Sequence, residues 1–270
     1  MKRWTGKPLS SVESYMYGLK SRAHLFHCLG HATFPVDVTN LVDRRRRYSK
    51  AVRPVTLTPV IVKAVALAMR ANPSALRILF RRFPFRRRIV SFDAVDLNIP
   101  VTREVGGERV TFLGVIRDAD RKTIGDIQDE LLRLQRDPPD SVPAMQKLAK
   151  LRKAPPAAAA LYHWLMSRSP DFYIRNAGTC GLVPMDAIRG GHFFPIGPTT
   201  AAFGIGGIGD HVVAKDGAPV VRRMLQISLS LDNYVVSGPE GLDLCTALQE
   251  LLESGDFVED EINSLAEAAE

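Results

Sequence analysis

Gln226-Ile-Ser-Leu-Ser-Leu-Asp232-Asn233-Tyr-Val-Val-Ser237-Gly238 is the stretch on which the fold of this 270-residue chain turns. Its first part reads as a buried strand, a short apolar and β-branched run bounded by turn residues. Asp232-Asn233 then marks a tight turn, and Pro239 opens a helix that runs to about Glu253, since proline is accommodated in a first helical turn.

Working outward, Thr200–Ile208 and Arg222–Leu231 read as neighbouring strands, and a further strand is expected near Asp171–Asn176. Thr123 caps an amphipathic helix to Arg136, with Ile124, Ile127, Leu131 and Leu134 at helical spacing. Ile89–Val101 and Arg109–Ile116 are β-rich and separated by Gly106-Gly107, which predicts a hairpin. Residues 56–71 are helical, with Val60, Ala64, Leu67 and Ala68 on one face. Thr39-Asn40 starts another helix, and Ala32–Val38 is a strand that Pro35 assigns to a sheet edge. A first helix is expected from Ser10 or Ser11 to about Phe26. Residues 137–160, with Pro138-Pro139, Pro155-Pro156 and an alanine run, carry the least readable pattern.

Several further segments bear on family. They are Val55-Thr-Leu-Thr-Pro59-Val-Ile-Val-Lys63, Val95-Asp-Leu-Asn-Ile-Pro-Val101, Val115-Ile116-Arg117-Asp118-Ala119-Asp120, and Phe194-Pro195-Ile196-Gly197-Pro198 leading to Gly204-Ile-Gly206. In this order they resemble the catalytic domain of dihydrolipoyl acyltransferases, the core subunits of 2-oxoacid dehydrogenase complexes, and more distantly chloramphenicol acetyltransferase. The likeness covers most of residues 8–254. It implies an α/β fold of the chloramphenicol-acetyltransferase-like kind, a mixed β-sheet with packed helices that forms trimers, with the active-site channel between neighbouring subunits. It also implies residues 1–254 as an acyltransferase-like core domain, 255–270 as an acidic tail that adds a short helix or stays mobile, and coenzyme A as the acyl-carrying cosubstrate. The expected partners are further copies of the chain and 2-oxoacid dehydrogenase-type subunits. No lipoyl-attachment domain and no Pro-Ala-rich swinging linker is evident, so a stand-alone core is expected.

In that family the strand closes as L-S-x-D-H-R-x-x-D-G, with the histidine as general base. Here Ser228, Leu229, Ser230, Asp232 and Gly238 are kept, but Asn233 stands at the histidine position and Ser237 at the aspartate position. The family's oxyanion-binding serine lies in a strand T-I-S-N-x-G. Read against Phe172-Tyr-Ile174-Arg175-Asn176-Ala-Gly178, Arg175 takes its place. The resemblance therefore implies a catalytic centre substituted at Asn233, Ser237 and Arg175. Losing a general base lowers a rate by about 10²–10⁴, and losing an oxyanion donor by a further ~10²–10³. A carboxamide accepts no proton near neutral pH, and a guanidinium is no base. The expected protein is a non-catalytic trimeric scaffold or regulatory subunit, with a rearranged coenzyme-A-dependent acyltransferase as the alternative.

Other candidates read as structural. His192 and His211 are loop or strand-end histidines that nothing in the sequence aims at Asn233. His24, His27, Cys28 and His31 have a spacing that could ligate zinc on a helix, but Gly30 argues for a break, so no metal is expected. Cys180 reads as a small buried hydrophobe. Gly204-Ile-Gly206-Gly207-Ile-Gly209 lacks the Lys-Ser/Thr of a phosphate loop and reads as close backbone packing.

With 46% hydrophobic residues, the chain can bury a sizeable core. No apolar run reaches the about 18 residues of a membrane span, the N-terminus lacks a signal-peptide core, and three scattered cysteines suit a reducing cytoplasm. The net charge of +7 is unevenly placed: no Lys or Arg follows Arg223, while eleven Asp and Glu do. Arg44–Arg47 and Arg81–Arg88 are the densest basic clusters. They are expected to be solvated faces partly met by the acidic C-terminal region, and nucleic acid is not the expected partner.

Overall fold

The computed structural model describes residues 28–82, 86–105, 107–189 and 191–268. The helix expected before Phe26, and with it His24 and His27, lies outside these residues. The two longest strands, β7 (Ala201–Lys215) and β8 (Ala218–Asp232), pair antiparallel and outrun the expected Thr200–Ile208 and Arg222–Leu231. Their extension rests on Asp216-Gly217: both residues take positive φ, 52° and 79°, the conformation a two-residue hairpin turn matching strand twist requires.

Strand β1 (Leu29–Asp37) adds antiparallel to β8. Among the described residues it is an edge strand, as Pro35 predicts. On the other side β6 (Cys180–Arg189) runs parallel to β7 and to β4 (Leu97–Val105), and β4 turns back into β5 (Glu108–Ile116). Among the described residues the main sheet is six-stranded, in the order β1-β8-β7-β6-β4-β5. Ile89 does not join β4. It belongs to a separate antiparallel hairpin, β2 (Arg77–Arg82) with β3 (Arg86–Ser91).

Helices α1 (Thr39–Ala51), α2 (Leu57–Ala71) and α3 (Ile124–Arg136) fall where the periodicity places them. Thr123 caps α3 reciprocally with Asp126, a capping box that satisfies the first free N–H groups. Val60, Ala64, Leu244 and Leu248 bury with Ile227, Leu229, Leu231 and Phe203 in one core, the last four from β8 and β7 and the leucines 244 and 248 from α7 (Gly238–Ser254). The stretch 137–160, unread in the sequence, forms α4 (Pro143–Lys153) and the start of α5 (Pro156–Arg168).

The strand expected at Asp171–Asn176 is instead a helix, α6 (Pro170–Ala177). The reason is local: Pro170 sits in the first turn, the Ser169 hydroxyl accepts from the Phe172 N–H (3.2 Å), and Gly178 at φ 68° ends the helix. Among the described residues no helix is long and apolar enough to cross a membrane.

Residues 256–267 form helix α8, whose Phe257 and Val258 enter the main core. Arg44 pairs with Asp256 at 2.6 Å and Arg47 with Glu259 at 3.2 Å, so part of the arginine run of α1 is met by the acidic C-terminal segment. Glu261 of α8 docks inward. Its Oε1 accepts from the Tyr48 hydroxyl (2.9 Å) and the Ile124 N–H (2.7 Å). Burial raises the Glu261 carboxyl above its ordinary range, against the lowering by those two bonds and Lys63. A carboxyl raised on folding stabilises fully below its unfolded value of about 4.3, and that stability is lost as pH rises through the folded value. We expect Glu261→Gln, which keeps an acceptor oxygen, to match the wild type in urea unfolding near pH 4 and to exceed it by neutral pH. A wild type that gains on the variant as pH rises would contradict this.

Candidate active site

The turn after β8 is held by Asp232, which is fully buried. Its carboxylate accepts from the N–H groups of Cys28 and Tyr234, both at 3.0 Å, and its carbonyl from those of Val235 and Val236, both at 3.0 Å. Asn233 follows, exposed, with its N–H on the Cys28 carbonyl (2.8 Å). Its amide nitrogen lies 2.5 Å from where a Cβ on Gly30 would be. Gly30 therefore leaves the space that the Asn233 side chain occupies, and any larger residue there would displace it.

Ser237 is the N-cap of α7. Its hydroxyl and its N–H both donate to the Glu240 carboxylate at 2.8 Å. Those bonds, and then Arg77 at 3.2 Å, hold Glu240 below the usual carboxylate range. The side chain at this position is therefore engaged in starting a helix.

Arg175 is not with them. It lies exposed on α6, beyond the β5 edge, with its Nε donating to the Asp171 carbonyl of its own helix at 3.0 Å. From β8 to β5 there are four strand spacings, about 19 Å. Because residues 170–177 are helical, Arg175 does not occupy a strand position at all. The strand of that region is β6, which starts two residues after Gly178. One chain thus brings Asn233 and Ser237 to one end of β8 and Arg175 to the far side of the sheet.

Two histidines sit on the face of β1 and β8 turned away from the helices. His31 bonds the Ser230 hydroxyl through Nδ1 at 2.9 Å and packs on the Phe194 ring, centroids 5.0 Å apart. His192 bonds Thr33 through Nδ1 at 2.6 Å. His31 is on strand β1, where the sequence suggests a break at Gly30 and not a strand, and it adjoins the glycine under Asn233. His211 lies exposed on β7 opposite Arg222. Cys180 is fully buried, and burial pushes its thiol up, as suits a packing residue. Gly204 and Gly206 lie within β7, packed against the 191–195 segment and β8.

The V-I-R-D-A-D segment proves to be a structural junction. Arg117 bonds Asp96 at the head of β4 and, at the end of α6, the Ile174 and Arg175 carbonyls (2.7 and 2.6 Å). Asp120 receives Arg70 at 2.8 Å, and its carbonyl receives Lys63 at 2.8 Å.

Residues 21–141 match the family model for the catalytic domain of 2-oxoacid dehydrogenases acyltransferase. Over those residues the chain resembles this family. The acetyltransferase component of the Bacillus subtilis pyruvate dehydrogenase complex is 24% identical over 241 residues, 86% of this chain and 47% of the relative. Its Staphylococcus aureus (strain Mu50) counterpart is 24% identical over 247 residues, 88% and 50% of the two chains. The chain therefore spans about half the length of the curated relatives it matches. In structure it resembles the Azotobacter vinelandii dihydrolipoamide acetyltransferase (TM-score 0.67, 20% identity, 95% of this chain and 94% of that one). It also resembles a truncated catalytic core from Thermoplasma acidophilum (TM-score 0.62, 18% identity, 93% and 98%). These likenesses establish the mixed α/β fold of the acyltransferase core.

Proposed function

We propose that this chain is a trimer-forming acyltransferase-family core that has lost conventional base-catalysed acyl transfer and serves as a scaffold or regulatory subunit in a 2-oxoacid dehydrogenase-type assembly. The observation that carries the reading is the turn at Asn233. Asp232 and Gly30 hold an amide where the family's proton acceptor stands, and Ser237 is occupied as a helix cap. The Azotobacter relative's mechanism is described through a serine, a histidine and an asparagine, so a missing histidine bears directly on catalysis. Assembly is supported by the separation of Asn233 from the β5 edge, which leaves room for a channel built between neighbouring copies. The exposed cross-strand pair Val212 and Val221 (72% and 66%) on the projecting ends of β7 and β8 supports it too. Coenzyme A is the ligand the fold suggests for the channel.

A coenzyme-A-dependent acyltransferase with a rearranged site is the second reading. His31 favours it: an exposed imidazole fixed at Nδ1 by Ser230, one residue from Gly30. The test is acetyl transfer from acetyl-coenzyme A to dihydrolipoamide by the wild type, His31→Ala and Asn233→His/Ser237→Asp. The scaffold reading expects wild-type turnover about 10²–10⁴ below that of a histidine-bearing relative, no effect of His31→Ala, and a gain in the double variant. Turnover equal to the relative's that collapses in His31→Ala establishes the second reading instead.

A further inference from the structure

A cavity of about 490 Å³ opens at the β5 edge of the sheet, away from Asn233. That volume lies within the range of small-molecule sites. Its inner wall comes from β4, β5 and α3, including Pro100, Leu113 and Leu134. Its outer wall, from Pro143, Lys147 and Leu148 of α4 with Arg175 and Asn176 of α6, begins only after residue 141, where the family match ends. Of the helices that close it, α4 lies in the stretch the sequence leaves unread and α6 lies where the sequence predicts a strand.

The lining is chemically divided. Leu134 and Leu148 belong to the apolar cluster of Val101, Phe112 and Met145. The basic groups gather at the α6 side. Lys147 Nζ donates to Asn176 Oδ1 at 2.8 Å and to the Tyr162 hydroxyl, and sits 4.2 Å from the centre of the Tyr162 ring. Arg175 is the residue beside Asn176, and Arg117 reaches its carbonyl. Lys147, Arg175 and Arg117 line the cavity, and no described carboxylate does. Arg117 is committed to Asp96. An entering anion would therefore meet the exposed Arg175 and the Lys147 ammonium, which Asn176 and Tyr162 hold in position.

We infer that this cavity binds a small amphipathic carboxylate, its head on Lys147 and Arg175 and its hydrocarbon body on Leu113, Leu134 and Leu148. Two observations agree with this. Burial lowers the Lys147 amine to about 8, so an anion beside it offsets the desolvation of its charge. An ammonium already held by Asn176 and Tyr162 loses little further rotamer freedom on binding. Within one chain the cavity lies at the β5 edge, four strands from β8 and the turn at Asn233.

The test is calorimetric titration of the full chain with decanoate, decanol and coenzyme A. Decanoate is expected to bind, and decanol about tenfold or more weakly, the usual effect of losing a charged hydrogen-bond partner. Lys147→Gln and Arg175→Gln are each expected to weaken decanoate by about tenfold with decanol unchanged. Leu148→Trp, which fills the cavity, is expected to abolish both. Arg175 is exposed on α6, so its variant is expected to fold even should Lys147→Gln not. Equal binding of acid and alcohol, decanoate binding indifferent to Arg175→Gln and Leu148→Trp, or displacement of decanoate by coenzyme A would each overturn the inference.

Discussion

Replacing Arg117 with methionine is expected to destabilise the chain by about 3 kcal/mol and to lower its Tm by about 6–12 °C. The asymmetry of the pair decides the size. The Asp96 side chain is 4% exposed and that of Arg117 38%, so removing the arginine strands a buried carboxylate rather than a solvated one. Asp96 also accepts from the Asp118 N–H at 2.9 Å, and one bond of that strength does not replace a guanidinium. The same substitution frees two carbonyls at the end of α6, where a cation is favoured by the helix dipole. Adding Asp96→Asn to Arg117→Met should recover part of the loss, because an amide needs no counter-charge. Urea unfolding of the two single variants and the double measures this coupling. Strictly additive losses would show that the pair contributes nothing as a pair.

The second large effect is expected at Gly204. A Cβ there would fall well inside contact with the Phe193 carbonyl and the Ser228 hydroxyl, and Ser228 itself bonds that carbonyl. A hydroxyl can rotate away, whereas a backbone oxygen moves only with its segment. Gly204→Val should therefore reduce stability by about 3 kcal/mol and lift residues 191–195 off β7. Faster chymotryptic cleavage at Phe193 and Phe194 would report the lifting. Gly238→Ala is the control, since a Cβ there meets nothing within 4 Å, and a change within about 0.5 kcal/mol is expected. A Gly204→Val protein as stable and as protected as the wild type would show that the segment is not held by close packing.

Legibility followed the range of the interactions. The α2 and α3 helices, the β4–β5 hairpin and the run from β8 into α7 were readable because apolar spacing, a Thr cap and paired glycines act within a few residues. The Asp216-Gly217 turn has the same local basis, and it carries β7 and β8 beyond the Thr200–Ile208 and Arg222–Leu231 that apolar spacing alone predicts. At 170–177 the β-prone Phe-Tyr-Ile run competed with a Ser-Pro start, and the cap and the proline prevailed. That outcome moved Arg175 from a presumed strand to an exposed helix.

Sequence alone determined the acyltransferase-like fold and the residue types at positions 233 and 237, since each depends on residue type at a fixed place in an ordered set of motifs. Tertiary structure decided the rest: the amide of Asn233 over Gly30, the pairing of Arg117 with Asp96, and the cavity beside Lys147. The Arg117–Asp96 and Lys147–Asn176 partners lie 21 and 29 positions apart, and Asn233 and Gly30 some two hundred. No local pattern encodes such distances. They follow from which strands lie side by side, and burial then sets which charges need a partner.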